Sequence, residues 1–159
     1  MKCNIDRASK GNPGIAGYGG LIRDEKGFIQ IIFHSHLGRA TNNMAELMAM
    51  EHCLEILRVS NLHNTLFEGD SKLIINSIKR NGNGSAPEKV SRHWRLQQVY
   101  QRIQSHLQTM RTLSFIHVHR IANRLVDIMA NEGVLHSKSK IRIDLIRTPQ
   151  GCLREECSK

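Results

Sequence analysis

Two short turn-forming segments divide the first forty residues into stretches in which apolar and polar side chains alternate. The turns lie at residues 11–14 and 24–27, and both contain glycine. Alternation with a period of two predicts half-buried strands. The predicted strands are Lys2–Ala8, Gly17–Arg23 and Phe28–Phe33. Because only short turns join them, we expect an antiparallel meander.

The apolar period changes at Thr41 and becomes helical. Apolar side chains then recur every three or four residues to about Val59, and Thr41 or Asn42 can cap the first turn. Later elements are predicted from the same criteria. They are strands Thr65–Gly69 and Thr112–Val118, and helices Ser71–Arg80, Glu88–Gln108 and Asn123–Val134. The stripe predicted to be buried on the Glu88–Gln108 helix consists of Val90, Trp94, Val99, Ile103 and Leu107.

Three strands followed by alternating helix and strand predict an α/β fold. We expect a mixed five-stranded sheet with helices on both faces. The chain of 159 residues has the size of one domain, which we place at residues 1–135. Residues 136–159 form a basic C-terminal tail, for which an added edge strand, an extended docking segment and a solvated tail are all compatible with the pattern.

The charge balance favours a polyanionic partner. Lys and Arg number 23 against 14 acids, so the formal net charge is +9 and the pI is about 9.8. Nucleic acid is one such partner, and acidic membranes or other polyanions are alternatives. No apolar run approaches the roughly 18 residues of a membrane span, and the N-terminus lacks a signal-peptide core. We therefore expect a soluble intracellular monomer, with nucleus or cytoplasm left open.

The four cysteines contain no pair with the C-x-x-C spacing. They are Cys3, Cys53, Cys152 and Cys157. Reduced thiols in the core or tail are expected rather than disulfides or zinc ligands. A reducing compartment fits this interpretation.

Four acids occupy positions that the predicted fold would bring near one another: Asp6, Glu46, Asp70 and Asp127. Each also has a simpler interpretation, respectively an exposed strand residue, a helix-start carboxylate, a helix N-cap and a solvated helix residue. Two like charges about 4 Å apart repel by roughly 4 kcal/mol at an effective dielectric near 20. A carboxylate cluster therefore requires cations, and oxygen ligands favour Mg²⁺ or Mn²⁺, with two ions suited to phosphodiester hydrolysis.

Four local motifs, in order along the chain, resemble those of the ribonuclease H type 1 family. They are residues 6–23 (opening hairpin), 41–49 (first helix), 68–71, and 117–127, the last similar to plant retroelement-derived members. The resemblance spans about residues 1–134 and implies the ribonuclease H-like fold. In that family the acids hold two Mg²⁺ ions, and the RNA strand of an RNA·DNA hybrid is cut to leave 5′-phosphate and 3′-hydroxyl ends.

The resemblance assigns roles residue by residue. It implies that the four acids are catalytic metal ligands and that His117 shuttles protons and assists product release, a role that an imidazole side chain suits. A hydrogen-bonded core histidine is the alternative for His117, because strand alternation puts it on the same face as Leu113 and Phe115.

Substrate binding by shape is also implied by the resemblance. Asn12, Asn42 and Asn43 match positions that contact the minor groove of a hybrid, and Thr41 matches a residue near the DNA phosphates. Turn and cap chemistry is the alternative for the three asparagines. Further basic residues are candidates for sequence-independent attraction or for an ordinary solvated helix face: Arg39, Lys89, Arg92 and Arg95.

Arg7 departs from the family pattern, which usually has glycine directly after the first Asp. A long cation there would crowd the site or reach a phosphate. Ile121 replaces a common acid, and the basic protrusion is reduced to residues 79–87. The leading hypothesis is a metal-dependent RNA-DNA hybrid ribonuclease. A catalytically impaired nucleic-acid-binding relic of a retroelement and an interaction module of the same fold are the alternatives.

Overall fold

The computed structural model describes residues 1–62, 64–69, 88–110, 112–117 and 124–136, apart from the side chains of Lys89 and Ser91. Several predicted features lie outside these ranges. They are Asp70, the helix Ser71–Arg80, Val118, Ile121, Asn123 and the tail from residue 137 onward.

A five-stranded mixed sheet forms the centre of the fold. Its strands are β1 (Lys2–Gly11), β2 (Gly14–Arg23), β3 (Ile29–Ala40), β4 (Thr65–Gly69) and β5 (Leu113–His117). They lie in the order β3-β2-β1-β4-β5, with antiparallel pairs among the first three and parallel pairs of β4 with β1 and β5. The predicted sheet is confirmed, and β1 lies at its centre.

Helices cover both faces of this sheet. The described helices are α1 (Asn42–Val59), α2 (Glu88–Ser91), α3 (Trp94–Thr109) and α4 (Arg124–Leu135). Cys3 and Ile5 of β1 belong to the large core shared with α1 and α3, whereas Ala8 packs with Ala130 and Val134 of α4. Neighbouring residues of β1 therefore face different helices, as strand geometry requires. None of the described helices is long and apolar enough to cross a membrane.

The third strand extends beyond its prediction. The sequence predicts Phe28–Phe33, but β3 continues to Ala40, and Phe28 precedes it with 62% of its surface exposed. The polar residues that follow Phe33 are compatible with the sheet because α4 covers them. Ser35 is buried, and the ring nitrogen Nδ1 of His36 lies 3.0 Å from the Gly133 carbonyl oxygen, to which it donates.

The helix predicted at Glu88–Gln108 is interrupted at Arg92 and His93. His93 has extended backbone angles, and α3 starts at Trp94. The interruption shifts the helical phase, so the buried face of α3 is formed by Leu96, Val99, Tyr100 and Ile103. Trp94, predicted to be buried, has 64% of its surface exposed. That part of the prediction is wrong.

A disulfide joins Cys3 of β1 to Cys53 of α1, across 50 positions of the sequence. Both residues are completely buried. The expectation of reduced thiols is therefore wrong for this pair. Apolar surroundings predicted that both side chains point into the core, but the sequence alone does not show that they meet there.

Candidate active site

Asp6 lies on the central strand and is almost completely buried. Its exposed fraction is 3%, so the interpretation as an exposed strand residue is wrong. Strand alternation puts its side chain on the face covered by α4, together with Ala8. Its partner on β2 is Gly19, where an added Cβ would lie 2.7 Å from Met129 Cβ. A glycine opposite Asp6 thus lets α4 approach the sheet closely at this point.

Glu46 lies in the first turns of α1 and points toward the sheet, as predicted. Thr41 caps the helix, because its Oγ1 accepts a hydrogen bond of 3.2 Å from the Met44 amide. Only 7% of Glu46 is exposed. It is the fifth residue of α1, so it lies beyond the first turn, where the helix dipole is most favourable for a negative charge.

Arg7 connects these two acids. Its backbone N–H donates to Asp6 Oδ1 over 2.7 Å, and its guanidinium Nε donates to Glu46 Oε2 over 3.0 Å. The second contact is also an ion pair. Both acids therefore contact Arg7, Asp6 through the backbone N–H and Glu46 through the guanidinium. Sequence reasoning singled out Arg7 but missed its pairing with Glu46.

Asp127 lies on α4, on the face of the sheet toward which Asp6 points. It is half-buried and one turn before Ala130, whose backbone nitrogen would lie 2.8 Å from a Cβ at Gly19. Within the described part of the chain, no group of three His, Cys, Asp or Glu residues is close enough to hold a metal ion. Asp70, the residue after β4, lies outside it.

The donor chemistry of the described acids fits a hard divalent cation. Two buried carboxylates offer oxygen ligands of the kind that Mg²⁺ and Mn²⁺ prefer. Their negative charge also requires compensation in the low dielectric of the core. The guanidinium of Arg7 is the feature that opposes a metal ion here, because it already supplies positive charge to Glu46.

His117 ends strand β5 and is half-buried. In the parallel register it lies opposite Gly69, the residue that precedes Asp70. Two positions earlier, Phe115 stacks on Phe67 with ring centroids 5.0 Å apart, which anchors this end of the sheet. His117 is thus at the carboxyl ends of two parallel strands, where open α/β sheets place their sites.

Three predicted substrate contacts perform turn and cap chemistry. Asn12 Oδ1 accepts a hydrogen bond of 3.1 Å from the Asn42 amide, and Ser9 Oγ donates to Asn42 Oδ1. Thr41 is the N-cap already described. These bonds tie the β1–β2 hairpin to the start of α1, and they are compatible with ligand binding by the same residues.

A cleft of about 370 Å³ lies beside these residues. It is lined by Asn12, Thr41, Asn43, Arg92, His93 and Leu96, and we name it the Thr41 cleft. A neighbouring cavity of about 360 Å³ shares three of these residues and adds Arg39 and Arg95. Amide, hydroxyl and guanidinium groups thus line one continuous concave region. Sequence reasoning missed His93 and Leu96, because it did not predict the interruption between α2 and α3.

The comparisons with known proteins agree on one family. A family model described as reverse transcriptase-like matches residues 4–133. A protein of Arabidopsis thaliana named as a ribonuclease H protein is 30% identical over 156 residues, which are 98% of this chain and 24% of that protein. Ribonuclease HI of Halobacterium salinarum is 30% identical over 130 residues, which are 82% of this chain and 62% of the relative. The chain thus spans less than two thirds of the length of both curated relatives.

Solved structures share the fold. RNase H1 of Halobacterium salinarum matches with a TM-score of 0.72 at 29% identity, covering 84% of this chain and 96% of that one. LC11-RNase H1, isolated from compost by a metagenomic approach, has a TM-score of 0.72 at 28% identity, covering 84% and 95%, in a complex with an RNA/DNA hybrid. The chain therefore belongs to the reverse transcriptase-like family and is a ribonuclease H type 1 domain.

Proposed function

We propose that this chain is a metal-dependent endonuclease that hydrolyses the RNA strand of RNA·DNA hybrids. Its family membership and the hybrid bound to LC11-RNase H1 support this reaction class. The observation that carries the proposal is that two buried carboxylates, Asp6 and Glu46, both contact Arg7 on the central strand of the sheet. We assign the activity to residues 1–135, acting as a monomer, with residues 136–159 as a basic tail.

Four acids would hold two Mg²⁺ or Mn²⁺ ions: Asp6, Glu46, Asp70 and Asp127. When bound, such a pair supplies an activated water and positive charge that stabilises the pentacoordinate phosphate. The side chains contribute orientation, because β1 and α1 fix the directions of Asp6 and Glu46. His117, at the end of β5, would accept or deliver a proton at a ring nitrogen during departure of the product.

The Thr41 cleft and the neighbouring Asn42 would contact the sugar-phosphate backbone and the minor groove of the hybrid. Asn12, Asn42 and Asn43 provide amide groups of the kind that hydrogen-bond 2′-hydroxyls, and Thr41 would contact a phosphate of the DNA strand. The hydrogen bonds that hold Asn12, Thr41 and Asn42 in place support this role, since a rigid surface loses less entropy on binding. Arg39 and Arg95 would add attraction that is independent of sequence.

A second candidate is a domain that binds hybrids without cutting them, as a relic of a retroelement enzyme would. One observation favours it: Arg7 is paired with Glu46, which the proposed reaction needs as a metal ligand. Cleavage and binding must therefore be measured separately.

A cleavage assay with matched variants tests both candidates. Purified protein is incubated with end-labelled RNA·DNA hybrid, duplex DNA or duplex RNA, in Mg²⁺ or EDTA. We expect Mg²⁺-dependent loss of RNA from the hybrid alone, reduced at least about 100-fold in Glu46→Gln and Asp70→Asn. Glu55→Gln is the control, because Glu55 lies on the exposed face of the same helix as Glu46.

The outcomes separate the hypotheses. Hybrid binding without cleavage by the unsubstituted protein would favour the relic. Absence of both binding and cleavage would favour an interaction module that uses the same fold. Equal activity in Glu46→Gln and Glu55→Gln would contradict the assignment of the carboxylates.

A further inference from the structure

Arg7 donates to both of the buried acids, but through different groups. The backbone N–H contacts Asp6 over 2.7 Å, and the guanidinium Nε contacts Glu46 over 3.0 Å. Because side chains alternate along a strand, Asp6 points toward α4 and Arg7 points toward α1, which carries Glu46. The guanidinium is therefore directed at Glu46 by the geometry of β1.

Among the contacts described, the ion pair with Arg7 supplies positive charge to the buried carboxylate of Glu46. The side chain of Glu46 is 10% exposed, whereas that of Arg7 is 31% exposed. A carboxylate so deeply buried is unfavourable unless positive charge and hydrogen bonds accompany it. Arg7 supplies both from the edge of the site, where its long side chain has access to solvent.

A divalent cation at Glu46 would require the same oxygen and the same negative charge. The guanidinium and a dication near one carboxylate repel each other twice as strongly as two single charges at that distance. A guanidinium also binds phosphate oxygens in a bidentate manner, so a nucleic-acid backbone offers it an alternative partner. The Arg7 side chain can therefore adopt a closed form, in which it contacts Glu46, and an open form, in which it points to solvent or to a phosphate.

We propose that Arg7 is an internal cation that competes with divalent metal for Glu46. In the metal-free chain it stabilises the buried carboxylates, and its displacement is a precondition for metal binding at Glu46. Only the open form binds metal at Glu46, so the apparent metal affinity equals the intrinsic affinity multiplied by the fraction of molecules in the open form. This inference rests on the proposed metal site. It predicts a difference in metal affinity between the unsubstituted protein and Arg7 variants, which can be measured without cleavage.

Manganese binding measures the competition directly. Free and bound Mn²⁺ are quantified by electron paramagnetic resonance for the unsubstituted protein, Arg7→Ala and Arg7→Gln. Both variants should bind about 10-fold more tightly, a typical size for coupling between two ligands. Arg7→Gln is included because its amide can still donate to Glu46 without charge, which protects against loss of folding in Arg7→Ala.

Lys10→Ala is the matched control for removing one positive charge. Lys10 is an exposed residue of the same strand, three positions and therefore about 10 Å from Arg7. At that distance salt screens most of its effect, so Mn²⁺ affinity should change by less than about threefold. Equal affinities in the unsubstituted protein and both Arg7 variants, or an equal gain in Lys10→Ala, would overturn the proposal.

Thermal unfolding provides a second measurement. In EDTA, Arg7→Ala should unfold at a lower temperature than the unsubstituted protein, because the buried carboxylate of Glu46 has lost its ion pair with the guanidinium. Saturating Mg²⁺ should close or reverse this difference, and an unchanged difference would count against competition. If the Arg7 variants bind Mn²⁺ more tightly but neither they nor the unsubstituted protein cleave hybrid, the competition is supported and the proposed function fails. If hybrid is cleaved but the Arg7 variants bind Mn²⁺ with unaltered affinity, the proposed function is supported and the competition fails.

Discussion

Tyr18 and His52 meet between β2 and α1, away from the acids of the candidate site. Tyr18 Oη lies 3.0 Å from His52 Nδ1, and the two rings pack edge to face with centroids 5.7 Å apart. Burial raises the pKa of Tyr18 and lowers the pKa of His52, while the charges of Glu55 and Glu51 act to raise the pKa of His52. A neutral His52 whose Nδ1 accepts a hydrogen bond from the Tyr18 hydroxyl satisfies the polar atoms of this contact.

This pair predicts a dependence of stability on pH. The pKa of His52 in the folded chain is below its ordinary value of 6.5, so between the two values the unfolded state binds more protons. The contribution of neutral His52 to the stability of the folded state is therefore complete above pH 6.5, and it decreases as the pH falls toward the pKa of His52 in the folded chain. His52→Asn does not titrate and retains an oxygen that can accept from Tyr18. Its melting temperature should fall less than that of the unsubstituted protein between about pH 7 and 5. Parallel curves would exclude this role for His52.

Single residues of the site were predictable where a local motif contains them. Asp6 and Glu46 are buried as their positions in a strand and a helix indicated. The contact of Arg7 with Glu46 crosses 39 positions, and the disulfide joins residues 50 positions apart. Such pairings depend on how α1 packs on β1, which propensity and periodicity do not specify.

At the scale of elements, α4 approaches the sheet through glycine. A Cβ added to Gly133 would lie 2.6 Å from the Ser35 carbonyl oxygen and 3.0 Å from that of Tyr18. A Cβ added to Gly17 on β2 would lie 2.4 Å from the Gly133 backbone. These backbone contacts set the position of the helix that carries Asp127.

Gly133→Ala should therefore destabilise the protein, although alanine is the better helix former by about 1 kcal/mol. The methyl group can be accommodated only if α4 moves from the sheet, and overpacking of this kind typically costs about 1–3 kcal/mol. Urea unfolding measures the change. Asn131→Ala, at an exposed position of the same helix, should change the free energy of unfolding by less than about 0.5 kcal/mol. Greater stability of Gly133→Ala would show that helix propensity outweighs the close packing.

Elements with a strong local signal were predicted well, and those set by tertiary contacts were not. α1 has a regular apolar period and a Thr41 cap, and β4 has the predicted bounds. The end of β3 depends on pairing with β2 and on cover from α4. Its polar residues gave no strand pattern, so the sequence did not predict that the strand continues to Ala40. The interruption at His93 has no Pro or Gly to mark it, which is why the burial of Trp94 was predicted wrongly.

The molecule as a whole combines a positive net charge with acids buried in its core. The net charge of +9 attracts any polyanion, whereas Asp6 and Glu46 lie buried on β1 and α1. The net charge favours attraction of a polyanion, whereas the proposed cleavage depends on these two buried acids. We expect duplex DNA to bind with a salt dependence similar to that of the hybrid, because phosphate contacts are insensitive to sequence.

The salt dependence of hybrid binding should identify which cations contact phosphate. Each phosphate contact contributes close to one unit to the slope of log affinity against log salt concentration. Arg39→Ala and Arg95→Ala, at the cavity beside the Thr41 cleft, should each reduce the slope by about one. Arg58→Ala is the control, because Arg58 is exposed in the last turn of α1, roughly 25 Å along that helix from Thr41. If all three variants reduced the slope equally, the cleft would have no special part in binding, and general attraction to the basic surface would account for the affinity.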